Sequence, residues 1–215
     1  GFPDLGLTIQ NMENPNLRDF YHMDRGMTGV LVNRIEYLSP AHGVLAEGDI
    51  LMRVNSMRVG NDGSVEFRKG ERTSFLYAFQ NRYINDSIPV VILRKGEVRK
   101  KIVRLVRTAQ SMRLVPYEQY DTPPSYYIAG GLVFVPLTKN YLMEWGDKWY
   151  DVGPTRLLHH YFNGAMTANR REVVVLIKVL ADKINVGYHD YSNMVIRRVN
   201  KKLISSIKDV ISAIE

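Results

Sequence analysis

Cysteine is absent from the 215 residues, which excludes disulfides, thiolate metal sites and a cysteine nucleophile. Stability must come from packing and hydrogen bonds. Also absent is any apolar run near the roughly 20 residues that a membrane-spanning helix requires, so no transmembrane segment is expected. Tryptophan occurs twice, at Trp145 and Trp149, both in one short stretch. Of the five histidines only His159 and His160 are neighbours. Adjacent side chains project differently and no carboxylate stands at ligand spacing, so neither metal nor any other cofactor is expected. The chain opens on Gly1-Phe2-Pro3-Asp4 without methionine or a signal sequence, which reads as a fragment excised from something longer and leaves the compartment unread.

What is present is an ordinary globular composition, 45% hydrophobic and 24% charged, enough for two cores of roughly 100 residues each. The formal net charge of +7 raises nucleic acid or an anionic surface as partners. The basic residues are dispersed, however: Arg94, Lys95, Arg99, Lys100, Lys101 and Arg104 flank a Gly96-Glu97 turn, and a second set follows Arg170. RNA binding would need aromatics interleaved with these lysines. None is there, so no nucleic-acid partner is expected.

The chain repeats itself. Val30-Leu31-Val32-Asn33-Arg34-Ile35 and Ile50-Leu51-Met52-Arg53-Val54-Asn55 recur as Val175 to Leu180 and Val195 to Asn200, both at an offset of 145 positions. A duplicated unit fixes the domain count, here a first domain over 1–107, a linker over 108–124 and a second domain over 125–215. The linker carries Pro116, Pro123 and Pro124 and no amphipathic period.

In the first copy the pattern predicts strands at Leu7 to Asn11, Val30 to Ile35 and Ile50 to Val54, with a short helix starting at Ser39-Pro40-Ala41. A polar insert over Gly60 to Gly70 precedes a helix near Arg72 to Asn81, where Phe75, Leu76 and Phe79 share a face. A hairpin, Ile88 to Leu93 and Val98 to Val106, closes the unit. The second copy begins with a strand from Tyr126 to Phe134. It carries an insertion near 145–170, repeats the strands and ends in a helix at Ser205 to Ile214, without a counterpart of the closing hairpin. The fold class is mainly β with α, two small antiparallel β-sandwiches or partial barrels, each capped by two helices.

These elements resemble the PDZ domain. The residues that carry the likeness are Gly29 to Val32, Ser39-Pro40-Ala41, Leu45 through Glu47-Gly48-Asp49-Ile50-Leu51, and Val54-Asn55. The opening Gly-Phe-Pro-Asp-Leu-Gly, the insert Asn61 to Arg68 with Glu71-Arg72, and the later Leu114 to Tyr117, Pro124-Ser125-Tyr126 and Gly131 to Leu137 are similar to the tandem PDZ region of plant and protist Deg proteases of the HtrA family. That resemblance implies a parent ATP-independent serine endopeptidase of protein quality control, with a His-Asp-Ser triad elsewhere. It also implies assembly into trimers or multiples of them, and a mitochondrial or plastid location. Unfolded or C-terminal peptides, the parent's own protease domain and sibling subunits are the implied partners. No Gly-x-Ser-Gly-Gly loop occurs in this chain, so the fragment itself is expected to catalyse nothing.

A PDZ domain binds by strand addition: an extended peptide pairs with the leading strand beside a helix, and its carboxylate meets backbone N–H groups in the preceding turn. Glycine suits that turn because bare backbone must come close. The candidate peptide-binding residues of the first copy are Leu5, Gly6, Leu7 and Ile9, with Phe75, Leu76 and Phe79 from the helix. In the second they are Gly130, Gly131, Leu132 and Phe134, with Ile207, Val210 and Ile211. Backbone bonds at ~1 kcal/mol each and one buried side chain at ~2 kcal/mol, set against association costs, predict micromolar or weaker affinity per groove. The alternative is an oligomerisation scaffold with occluded grooves, for which Trp145, Trp149 and the surrounding tyrosines would supply interface anchors.

Overall fold

The computed structural model describes residues 3–215; Gly1 and Phe2, the start of the opening motif, lie outside the described residues. The chain divides into two compact units, residues 1–112 and 113–215, and both are built mainly of antiparallel strands. Within 108–124, Met112 is buried with the first unit, while Leu114 and Val115 belong to a core cluster of the second. Arg113 lies over the Tyr117 ring at 4.3 Å and donates to the Tyr161 carbonyl. This stretch is anchored by Met112, Leu114 and Val115, while Tyr117 and Tyr120 stay exposed.

The first unit places strands β1 (Leu7–Gln10), β2 (Val30–Ile35), β3 (Ile50–Val54), β4 (Met57–Arg58), β7 (Ser87–Arg94) and β8 (Glu97–Arg104) in one sheet. Its order is β1-β2-β3-β7-β8, with β4 attached to β3. β5 (Ser64–Arg68) and β6 (Glu71–Ser74) form a separate hairpin. One face of the sheet buries Val32, Leu51, Val54, Ile88 and Val90 in the main core. The other buries Leu31, Ile50 and Leu93 beneath Met12, Met23 and helix α1 (Pro15–Phe20). The start of α1 was written in the sequence: Asn14 caps it by accepting from Asn16 N–H, and Pro15 stands in its first turn.

Two expectations for this unit are corrected. Ser39-Pro40-Ala41 starts no helix; successive turns run through it, closed by His42 N–H to Ser39 O and Leu45 N–H to Ala41 O. The helix near 72–81 is also not formed. Glu71–Ser74 pair with Ser64–Arg68 across a turn at Gly70 (φ +79°), and only Phe75–Phe79 coil, as a 3-10 turn. Within that turn Phe75 and Phe79 drop into the core while Leu76 stays exposed.

The second unit has strands β9 (Tyr127–Ala129), β10 (Leu132–Pro136), β11 (Val174–Val179) and β12 (Met194–Val195), ordered β12-β11-β10-β9. A small hairpin of β13 (Arg198–Val199) and β14 (Lys202–Leu203) leads to the C-terminal helix. Between β10 and β11 stand helices α2 (Lys139–Leu142), α3 (Trp149–Val152) and α4 (Thr155–Asn163), the last burying Leu157, Leu158 and Tyr161. Helix α5 (Ile207–Ile214) starts two residues after the expected Ser205 and ends at the expected Ile214. The Asp209 carboxylate reaches back to the N–H groups of Ser205 and Ser206 at 3.0 and 2.9 Å, and Glu172 accepts from Ile207 N–H at 2.8 Å. Those contacts satisfy backbone donors that a helix start leaves without partners.

The repeat is visible in backbone detail. Asn55 and Asn200 take φ +56° and +46° in the two-residue turns Val54↔Met57 and Val199↔Lys202. Gly48 and Asn193 share the left-handed region at the same offset. The copied strand itself diverges: Ile50–Val54 is continuous, whereas its counterpart breaks into β12 and β13.

Candidate functional site

In the first unit β1 is the terminal strand of its sheet and pairs with β2 alone, Leu7 opposite Ile35 and Gln10 opposite Leu31. Its other edge carries no ladder partner among the described residues. Leu7 and Ile9 turn inward onto the core that holds Phe75 and Phe79, while Thr8 and Gln10 face out. Four of the predicted groove residues are thus brought together. Phe75 and Phe79 are core floor rather than helical wall, Leu76 takes no part, and Leu5 is wholly buried. The flank that a helix was expected to supply is replaced by the β5–β6 hairpin and its root. Met12 N–H donates to Asn61 O at 2.8 Å, and Gly63 sits against the Ile9 side chain.

Gly6 precedes β1 with φ +68°, and a Cβ there would collide with Ser39. Glycine is required at this corner by both backbone and packing. Its N–H is already engaged, donating to Asp4 Oδ1 at 2.7 Å. A carboxylate of the chain itself therefore occupies one amide of the turn that was expected to receive a ligand carboxylate.

The second unit differs in one decisive respect. β10 pairs on one side with β11 and on the other with β9, Leu132 opposite Ala129 and Phe134 opposite Tyr127. Gly130 and Gly131, at φ +56° and +82°, form the two-residue turn that joins β9 to β10. These glycines therefore shape a hairpin and not an open carboxylate cradle. Asn185 fastens it: its amide donates to the carbonyls of Gly130 and Leu180, each at 3.0 Å, and Leu180 N–H donates to Gly131 O at 2.8 Å.

Leu132, Phe134, Ile207 and Val210 do converge in one cluster, whereas Ile211 is half-buried and not part of it. Tyr127 of β9 completes that cluster, stacked on Phe134 at 6.5 Å and 24°. Burial, together with the Glu215 carboxylate at the end of α5, pushes the Tyr127 phenol up. α5 packs over both β9 and β10, so β9 fills the position beside β10 that an added strand would take. Sequence reasoning assigned Tyr126 to Phe134 to one strand and so missed this. The signal was Gly130-Gly131 between Tyr126-Tyr127-Ile128 and the apolar run Leu132 to Val135, which is a hairpin pattern.

On the opposite face of β10, Val133, Val135 and Ile177 border a cavity of about 720 Å³ walled by Pro116, Pro124 and Tyr141. It is separate from the α5 side. In the insertion Trp149 lies edge-on to Tyr161 at 5.2 Å and parallel to Phe162 at 6.0 Å. Trp145 and Trp149 are partly buried against the core, while Tyr150, Val152 and Phe162 remain exposed. Among the described residues no group of three or more His, Asp or Glu side chains could hold a metal ion, and no helix is long and apolar enough to cross a membrane.

Residues 115–215 match the PDZ domain family. Over 93% of its length the chain is 35% identical to the chloroplastic protease Do-like 2 of Arabidopsis thaliana, covering 32% of that protein. Over its whole length it is 33% identical to the mitochondrial protease Do-like 4 of the same plant, covering 38% of it. A serine protease DegP homolog of Plasmodium falciparum is 30% identical over 80% of the chain, which spans 18% of that protein. The chain thus spans between 18% and 38% of the length of these relatives. With its strand-built units and the match of its second unit, it is a PDZ region related to the Deg, or Do-like, proteases of the HtrA family.

Proposed function

We propose that this chain is the regulatory, peptide-binding part of a Deg-type serine endopeptidase, and that its two units do different work. The first captures extended peptide at the open edge of β1. The second holds its own strand β9 in the equivalent place and serves assembly. The observation that carries this reading is the contrast between β1, bonded on one side, and β10, bonded on both.

The chain itself is catalytically inert in this account, and cleavage belongs to a protease domain of the parent protein. The mitochondrial and chloroplastic relatives support an organellar location. Its partners are unfolded or C-terminal peptides at the first unit, and the parent's protease domain and sibling subunits at the second. The assembly role draws on the exposed Tyr150, Val152 and Phe162, since large aromatics at a surface favour interface contacts.

The test pairs two variants. Thr8→Pro removes a β1 donor and should weaken binding of an extended peptide while the mass in solution is unchanged. Tyr150→Ala with Phe162→Ala, made in the full-length parent, should lower the oligomer mass and leave peptide affinity alone. The reverse pattern would refute the division of labour.

A further inference from the structure

The sheet of the first unit has a second terminal strand, β8, eight residues long and bonded only to β7 among the described residues. Long open edges are usually shortened, bulged or covered. This one pairs with β7 without a break, from Ser87↔Arg104 to Arg94↔Glu97. Its outward-facing residues alternate Val98, Lys100, Ile102 and Arg104, and all are exposed, Ile102 by 68% and Val98 by 54%. Pro89 and Val91 oppose Ile102 and Lys100 across the ladder on the same face, and Arg53 opposes Val91 in turn. α1 and its neighbours cover the other half of this face at Leu31, Ile50 and Leu93, and stop there. A basic, partly apolar strip therefore borders an unpaired backbone edge. The single acidic residue of β8, Glu97, is bonded to Arg99 at 2.7 Å.

We infer that β8 is a docking edge for an extended acidic segment of another polypeptide, distinct from the β1 edge on the opposite side of the sheet. A row of free backbone groups demands a partner with its own row, which a polypeptide has and a lipid surface lacks. A second copy fits poorly: two-fold antiparallel pairing of β8 with itself about its middle sets Lys100 against the other copy's Lys100, or Lys101 against Lys101, and like charges directly opposite are unfavourable. The lysines that bar self-pairing attract a strand carrying glutamate or aspartate between apolar residues. Ile102 and Val98 then bury beneath that strand's apolar side chains.

The probe is a ten-residue peptide alternating glutamate and valine, acetylated and amidated so that no terminal carboxylate can engage a glycine turn, titrated into the amide-labelled 215-residue chain. The expected result is saturable shifts confined to residues 97–104 and their β7 partners. Lys100→Glu with Arg104→Glu should weaken binding about tenfold or more, and that same variant should gain binding to a capped ten-residue peptide alternating lysine and valine. Both side chains are exposed, so a thermal melt should report an intact fold. A peptide of equal charge interrupted by prolines should not bind. Equal binding of the proline peptide would overturn the inference, because attraction without strand pairing would then suffice. So would shifts falling on β1 instead, or phosphatidylserine vesicles binding through β8 in place of the peptide.

Discussion

Ala129 and Leu132 face each other across Gly130-Gly131, and that pairing decides which side of β10 is free. Neither is. The corresponding strand of the first unit, β1, has Gly6 before it but no hairpin partner among the described residues, so the strand that pairs with β2 in one unit is open where the strand that pairs with β11 in the other is closed. The difference arises from a three-residue strand, β9, placed just ahead of β10.

The two glycines of that turn should respond differently to substitution. A Cβ on Gly131 would strike the Asn185 amide, whereas none of the surrounding atoms lies within 4 Å of one on Gly130. Gly130→Ala should cost only the left-handed backbone penalty, about 1 kcal/mol. Gly131→Val adds the collision and the loss of Asn185's bonds, about 3 kcal/mol or more in total. Urea unfolding followed by tryptophan fluorescence, which reports the second unit alone, checks both.

Asp4 should govern whether the first unit cares about a free carboxylate. With its side chain on Gly6 N–H, acetyl-peptides with free and amidated C-termini should bind equally within a factor of about two. Asp4→Ala releases that donor, and one charge-assisted bond at ~1.5 kcal/mol should then favour the free acid about tenfold. Isothermal titration of the peptide pair against both proteins measures it.

Asp49 and Arg94 tie the turn after β2 to the end of β7. The carboxylate is almost completely buried and accepts from Arg94 Nε at 2.6 Å, from Nη2 at 2.7 Å and from Ala46 N–H at 2.9 Å. Arg94→Met leaves the buried charge with a single backbone donor and should destabilise the first unit by about 3 kcal/mol. Removing the charge as well, in Asp49→Asn with Arg94→Met, should recover part of that loss in chemical denaturation.

His160 supplies a pH dependence. Burial first, then the positive charges of Arg170, His159 and Arg197, hold its imidazole below the ordinary value. The unfolded chain then binds the proton more readily than the native one. Stability is complete above the ordinary value of about 6.5 and falls as pH drops from there through the lower native value. Unfolding midpoints at about pH 7.5 and about pH 5 should differ more in the native sequence than in His160→Gln. No difference would mean that α4 tolerates the charged ring.

Much of this fold could be read from residues alone, for identifiable reasons. Val30–Ile35 and Ile50–Val54 are β-branched runs ended by turn residues, and both form strands at the expected bounds. Val175 to Leu180 was expected by repetition and forms one residue early. α5 was legible from its apolar period and serine-aspartate start. The helix over 72–81 was misread because the spacing of Phe75, Leu76 and Phe79 is local, whereas the pairing of Glu71–Ser74 with Ser64–Arg68 is set by the Gly70 turn outside that window. At the site, β1 and the glycine before it were legible, whereas Tyr126 to Phe134 was read as one strand and Gly130-Gly131 as a carboxylate turn where a hairpin stands. Which edge stays open depends on Tyr127–Ala129 and on Asn185, 55 residues away from Gly130, and no local period carries that information.

The most direct measurement is an amide chemical-shift titration of the whole chain with one extended apolar peptide. The account predicts saturable shifts over Leu5–Gln10 and an unchanged Leu132–Pro136, with Tyr127–Ala129 still protected from hydrogen exchange. Shifts over Leu132–Pro136 together with release of Tyr127–Ala129, or a silent β1, would contradict it.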